Sequence, residues 1–283
     1  MILSGKPVAQ ALCRQTLADS ELLRQQGIVP TLCVVRLGED PSDLAYERGI
    51  AKRAEQVGVE IRRELLSADT DADAVIALLH ALNADDGVHG VLLFRPLPKT
   101  LRDRQDEIFN ALDPAKDVDG MTDGSAAGVF LGKNLGFAPC TPSACMELLR
   151  YYDIDPCGKR TVVIGRSPVV GKPLSMLLLN RHATVTICHT RTRDLAEVAR
   201  SAELLIACAG SAEMVTKDFI APGATVLDVG VNWNGEKYVG DVRFEEAEPV
   251  ASAVTPVPGG VGAVTTALLL SNVVRAAQNR RNA

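Results

Sequence analysis

The stretch TVVIGRSPVVGKPLSMLLLN, residues 161–180, decides the fold. It reads as a short apolar strand, a turn opened by Gly165, and an apolar helix. Its glycines follow Gly165-x-Ser167-x-x-x-Gly171, not the commoner G-x-G-x-x-G, yet the physical requirement is the same. A glycine permits the tight turn, and the turn amides with the next helix's N-terminus offer N–H groups to a phosphate. Alone, such a turn is equally consistent with a plain strand-to-helix connection. Three further apolar strands in ATVTICH, AELLIACAG and ATVLDVGVN follow at the spacing of a parallel dinucleotide-binding sheet.

The end of the second strand bears on the cofactor. An NAD site usually places Asp or Glu there, accepting from the ribose 2′-hydroxyl. Here the chain has His189, Thr190 and Arg191, and the first turn adds Arg166. Two cations and a hydroxyl suit a 2′-phosphate, which favours NADP over NAD. The alternative is that Arg191 and Arg193 simply cover surface.

Upstream, helix and strand patterns alternate. PVAQALCRQTLADSELLRQQG reads as a helix ending at Gly27, and TLCVVRLG as a buried strand ending at Gly38. Asp40 before Pro41, with Asp43 beyond, marks a helix start in EDPSDLAYERGIAKRAEQVGV. VEIRRELL predicts a strand, TDADAVIALLHALNAD a helix, and VHGVLLFRPLP a strand running into a proline-closed loop. Residues 112–142 break into Gly-, Pro- and Asp-rich segments and read as a crossover loop region between domains. SACMELLRYYDI then predicts a helix into the second domain. Residues 264–279 predict an apolar terminal helix that packs back on the first domain and makes it discontinuous.

Composition narrows the function. The 283 residues suit two compact domains, and 47% hydrophobic with 23% charged residues describes an ordinary chain able to bury a core. A net charge of −5 argues against nucleic acid as the main partner. No apolar run reaches the ~18 residues of a membrane span, and MILSGKPVAQAL lacks the pattern of a secretory signal. Seven scattered cysteines without C-x-x-C, and four histidines without a ligand-like pair, predict reduced thiols, no metal and a cytoplasmic protein.

Six motifs occur in one order: KDVDG (116–120), PCTP (139–142), GRSPVVGKP (165–173), DVGVN (228–232), YVGDV (238–242) and TPVPGGVG (255–262). Over almost its whole length the chain resembles the methylenetetrahydrofolate dehydrogenase/cyclohydrolase family. That resemblance implies a two-domain α/β subunit, forming a homodimer, with folate held in a cleft between the domains. Residues 1–138 plus 264–283 would form the folate-binding catalytic domain, and 139–263 a Rossmann-like NADP-binding domain. It implies oxidation of 5,10-methylenetetrahydrofolate with NADP in one-carbon metabolism, then hydrolysis of the methenyl cation to 10-formyltetrahydrofolate. Asp119 would bind the pterin, Tyr46 would line or stack on the folate, and Gly259 and Gly260 would bring backbone close to folate and nicotinamide. Gly165, Arg166, Ser167, Thr190, Arg191 and Val231 fall at or beside the NADP contacts, Val231 chiefly through its main chain.

Two positions depart from the family. Its Y-x-x-x-K motif reads here as Tyr46-Glu47-Arg48-Gly49-Ile50, and its V-Q-L-P-L-P strand end places Phe94 where glutamine stands. Hydride transfer needs orientation and a dry pocket, since the folate nitrogen lone pair expels the hydride. Hydrolysis needs proton transfer, a contribution of ~10²–10⁴-fold, and neither Ile nor Phe can move a proton. The expectation is therefore a dehydrogenase with weak or absent cyclohydrolase activity. The alternatives are the full bifunctional enzyme and a non-catalytic folate- and NADP-binding regulatory dimer. Lys52, Arg53 and Arg95 are not expected to substitute, Arg95 because strand neighbours face opposite sides unless Pro96 distorts the strand end.

Overall fold

The computed structural model describes residues 1–281, which cluster into two compact units. One unit comprises Ala11–Cys140 with the chain from Thr266 onward. It contains most of α1 (Gly5–Gln25), then β1 (Thr31–Leu37), α2 (Pro41–Val57), β2 (Glu60–Leu66), α3 (Ala72–Ala84), β3 (Gly90–Leu93), α4 (Gln105–Asn110) and α5 (Asp123–Leu131). Its sheet is parallel, in the order β2-β1-β3. Successive side chains of a strand point to opposite faces, so a sheet covered on both sides reads as a continuous apolar run. In β1, Leu32 and Val34 pack with Ile50, Ala54 and Val57 of α2 and with Leu269, Leu270 and Val273 from the terminal helix. Cys33 and Val35 pack the other way, against Val75, Leu79 and Leu82 of α3.

Helix α2, which carries Tyr46, has well-defined ends. The Asp40 side chain accepts from the Ser42 N–H at 2.8 Å, Pro41 takes the first turn, and left-handed Gly58 closes the other end.

The other unit comprises Met1–Gln10 and Thr141–Thr265. Into it run α6 (Cys140–Tyr151), β4 (Arg160–Ile164), α7 (Gly171–Leu179), β5 (Thr184–Cys188), α8 (Leu195–Arg200) and β6 (Leu204–Ala207). Then come β7 (Thr225–Asp228), the antiparallel hairpin β8 (Asn232–Trp233) and β9 (Tyr238–Val239), α9 (Phe244–Ala247) and β10 (Ala253–Val254); α10 (Gly262–Arg281), the terminal helix, starts here and from Thr266 belongs to the first unit. The five-stranded sheet is parallel, ordered β10-β7-β6-β4-β5. The chain passes from β4 to β5 on one side and then crosses to β6 on the other. That reversal opens a crevice beyond the carboxyl ends of β4 and β6, where ligands of such sheets bind.

Three features differ from the sequence reading or go beyond it. The first ten residues cluster with Thr141–Thr265. Leu3 N–H donates to Val254 O at 2.9 Å and Val254 N–H to Met1 O at 3.0 Å, so the N-terminus satisfies the open edge of β10. The region 112–142 is not wholly loop, since it contains α5. Thr122 caps that helix by accepting from Ser125 N–H at 3.1 Å, although Gly124 and Gly128 disguise it in the sequence. Finally, β8, β9 and β10 are only two residues each, too short to show a periodicity.

Among the described residues no helix is long and apolar enough to cross a membrane.

Candidate active site

The KDVDG segment divides its work residue by residue. Lys116 donates from Nζ to the Leu82 and Asp85 carbonyls, both at 2.6 Å, at the C-terminal end of α3, where a cation is favourable. Asp117 is fully buried. It accepts from Met121 N–H, Thr122 N–H and hydroxyl, and the Ser125 hydroxyl, at 2.6–3.0 Å. Val118 is core, and its carbonyl accepts from Asn272 Nδ2 at 2.9 Å. With its neighbours fixed on both sides, Asp119 is the acid left at the surface of the unit, its side chain 24% exposed.

Around Asp119 stand Tyr46, Phe94, Arg95 and Cys140. The Tyr46 and Phe94 rings lie 5.7 Å apart, tilted by 41°. Phe94 is buried, whereas Tyr46 remains 45% exposed and offers a ring face to a ligand. Its hydroxyl end is enclosed: burial, then the Asp119 charge, push the phenol well above its ordinary range. Burial likewise raises the Asp119 carboxyl, against the opposing charge of Arg95. Arg95 Nη2 donates to Asp119 Oδ2 at 2.6 Å. The sequence reading set Arg95 aside on strand alternation unless Pro96 distorts the strand end, and so did not pair it with Asp119. β3 stops at Leu93, so Phe94 and Arg95 need not face opposite ways. Ile50 has no exposed surface and packs in the same cluster as Phe94, Val118 and Cys140. No proton-transfer group stands at either departed position.

In the other unit, the β4–α7 turn is closed by two glycines. Gly165 has φ +133°, and a Cβ there would lie 2.3 Å from Cys208 O at the end of β6. A Cβ at Gly171 would lie 2.3 Å from Gly165 O. The Ser167 hydroxyl oxygen accepts from Val170 N–H at 3.0 Å and Gly171 N–H at 3.4 Å, which shapes the start of α7. At the end of β5, His189 Nδ1 accepts from Arg191 N–H at 3.1 Å, and His189 N–H donates to the Thr192 hydroxyl at 2.9 Å. Arg166, Thr190 and Arg191 are exposed beside that fixed turn. This tight turn, with a helix start behind it and cations in place of a carboxylate, fits a phosphorylated dinucleotide.

Val231, Gly259 and Gly260 line one mostly apolar cavity with Tyr238 and the Pro256–Pro258 loop, past the ends of β7 and β10. Beneath it two buried acids organise the backbone. Asp241 accepts from Ala209, Gly210 and Ser211 N–H groups and from Asn232 Nδ2. Asp228 accepts from Gly230, Asp241 and Val242 N–H groups at 2.9–3.0 Å. Burial pushes the Asp228 carboxyl up from 3.8 to about 7. Folding therefore takes up a proton between those values, and stability contributed by the protonated acid is lost as pH rises through about 7. Chemical denaturation across pH 4–8 should show this slope, and Asp228→Asn should flatten it. An unchanged slope would remove the assignment.

Fold and site together define an α/β protein with a dinucleotide-binding unit and a separate unit bearing an acid, an aromatic ring and a cation. The chain belongs to the tetrahydrofolate dehydrogenase/cyclohydrolase family: its catalytic-domain model matches residues 3–119 and its NAD(P)-binding-domain model residues 139–281. The bifunctional protein FolD of Carboxydothermus hydrogenoformans is 46% identical, over 98% of this chain and 96% of its own. A crystal structure of the bifunctional enzyme FolD, methylenetetrahydrofolate dehydrogenase/cyclohydrolase, from Campylobacter jejuni superposes with a TM-score of 0.95 at 39% identity, covering 99% of each chain. The methylenetetrahydrofolate dehydrogenase-cyclohydrolase of Trypanosoma brucei, solved with NADP and an inhibitor, gives a TM-score of 0.92 at 32% identity, covering 100% of this chain and 99% of that one.

Proposed function

We propose that the protein oxidises 5,10-methylenetetrahydrofolate to the 5,10-methenyl cation with NADP. The observation that carries this is Asp119, an acid at the surface of its unit, beside the exposed ring of Tyr46. An ionised carboxylate only accepts hydrogen bonds, and can accept two at once. The amino-pyrimidone edge of a pterin presents adjacent N–H donors of that kind. The Tyr46 face covers the ring system, and in the other unit the Gly259–Gly260 backbone lines the cavity beside Val231. NADP, when bound, takes the hydride; the β4–α7 turn with Gly165 and Ser167 would hold its pyrophosphate, and Arg166, Thr190 and Arg191 its 2′-phosphate. The protein's own part is orientation and exclusion of water, because the folate nitrogen supplies the electron pair. A homodimer belongs to the same reading, supported by the exposed Trp233 and Tyr238 of the β8–β9 hairpin.

The names of the relatives favour the full bifunctional enzyme, in which the methenyl cation is next hydrolysed to 10-formyltetrahydrofolate. One specific observation favours the second reading, a weakened hydrolytic step: Ile50 and Phe94 are both buried in apolar core, where attack by water needs a proton acceptor. A single assay separates them. With methylenetetrahydrofolate and NADP, both readings predict NADPH formation. The bifunctional enzyme clears the methenyl absorbance faster than buffer does, whereas the weakened one lets it accumulate and decay at the spontaneous rate. Absence of NADPH formation would sink both.

A further inference from the structure

Arg95 takes no part in the chemistry proposed above, yet it pairs directly with the folate-binding acid. Its guanidinium reaches Asp119 at 2.6 Å, and the two side chains are 25% and 24% exposed. An exposed ion pair of this kind contributes little, but a pair three-quarters withdrawn from water is only weakly screened. The guanidinium is planar and permanently charged, so it fixes an orientation as well as a charge. The other groups facing Asp119 act in both directions. Asp117 adds a like charge from the same loop and opposes ionisation, the Cys140 thiol from α6 favours it through a hydrogen bond, and the Tyr46 phenol from α2 stays neutral.

We propose that Arg95 is a positioning residue for the folate site: it supplies the counter-charge that keeps Asp119 a pure acceptor and turns its remaining lone pairs to the pterin. The inference rests on the dehydrogenase reading for its substrate, but not for its test. Without Arg95, only the Cys140 hydrogen bond opposes burial and like charge, and a protonated Asp119 carries an O–H where the pterin edge presents donors. Binding then fails at mildly acidic pH and recovers at high pH, a pattern that general loss of structure does not produce.

Arg95→Leu and Arg95→Lys are compared with the unaltered protein by carbon NMR of labelled aspartate, with Asp119→Asn assigning the resonance. The Asp119 midpoint is expected to rise by about 1–3 pH units in Arg95→Leu, and to return most of the way in Arg95→Lys. The acid limb of kcat/KM should move with it, costing about tenfold for each unit of displacement below the new midpoint. An unmoved midpoint in Arg95→Leu overturns the proposal, as does a fall in kcat/KM equal at every pH. If the unaltered protein forms no NADPH, the functional reading fails, and the NMR midpoint, which needs no turnover, still decides the role of Arg95.

Discussion

Gly165→Ala should abolish measurable dinucleotide binding, raising the dissociation constant for NADP by at least ~100-fold, while Gly158→Ala in the same unit leaves it unchanged. Both glycines have positive φ, +133° and +72°, so both substitutions carry backbone strain. At Gly158 nothing lies within 4 Å of an added Cβ, and the cost stays near the ~1–2 kcal/mol of an ordinary left-handed residue. At Gly165 the Cβ would sit 2.3 Å from Cys208 O and 2.8 Å from Cys208 Sγ, both at the end of β6. Either β4 and β6 separate at their carboxyl ends or the turn swings outward. Each outcome displaces the turn amides that would face the phosphates of a bound dinucleotide. Fluorescence titration with NADPH and a thermal melt of both variants check this. Equal affinities would mean that the cofactor does not rest on this turn.

Much of the architecture was legible because parallel sheets make it so. Strands covered on both faces are short apolar runs, as in TVVI and LCVV, and no half-polar alternation blurs them. Helix α2 was legible at its start because Asp40 and Pro41 are local signals whose partners lie within a turn. What escaped detection depends on partners distant in sequence. The N-terminal residues join β10 through Val254, some 250 positions away, and nothing in MILSGKPVAQ announces it. Helix α5 looks like loop because its cap acts through Asp117, which takes up the Thr122 and Ser125 hydroxyls. Asp119 could be found by its motif, but its partner could not. Arg95 required knowing that β3 ends at Leu93, and strand ends are where pattern reading is weakest. The departures at Ile50 and Phe94 were visible only by comparison with a family motif, since each is an unremarkable apolar residue in its own element.

Those two positions give the other large expected effect. Ile50→Lys with Phe94→Gln should raise enzyme-dependent decay of methenyltetrahydrofolate by ~10²–10⁴-fold, the usual contribution of a positioned proton-transfer group. Neither change alone should achieve this. Ile50 is fully buried among Leu32, Val34, Ala54 and Phe94, so a lone lysine there enters an apolar cluster and loses its charge or destabilises the unit. Phe94→Gln alone removes the ring 5.7 Å from Tyr46 and adds an amide, but no base. Together the amide gives the ammonium a polar partner, and lost aromatic volume gives water an entry. Tyr46 stands four residues before position 50, on the same helical face, with its phenol held protonated by burial and by the Asp119 charge. Its oxygen can therefore accept an N–H from a neutral lysine nitrogen and leave the amine lone pair free for the proton taken from water. Dehydrogenase turnover should change far less, since it uses orientation and not proton transfer. If the unaltered protein already clears the methenyl absorbance and the double variant adds nothing, hydrolysis proceeds through groups other than these two, and the apolar pair is a neutral repacking of α2 against the strand end.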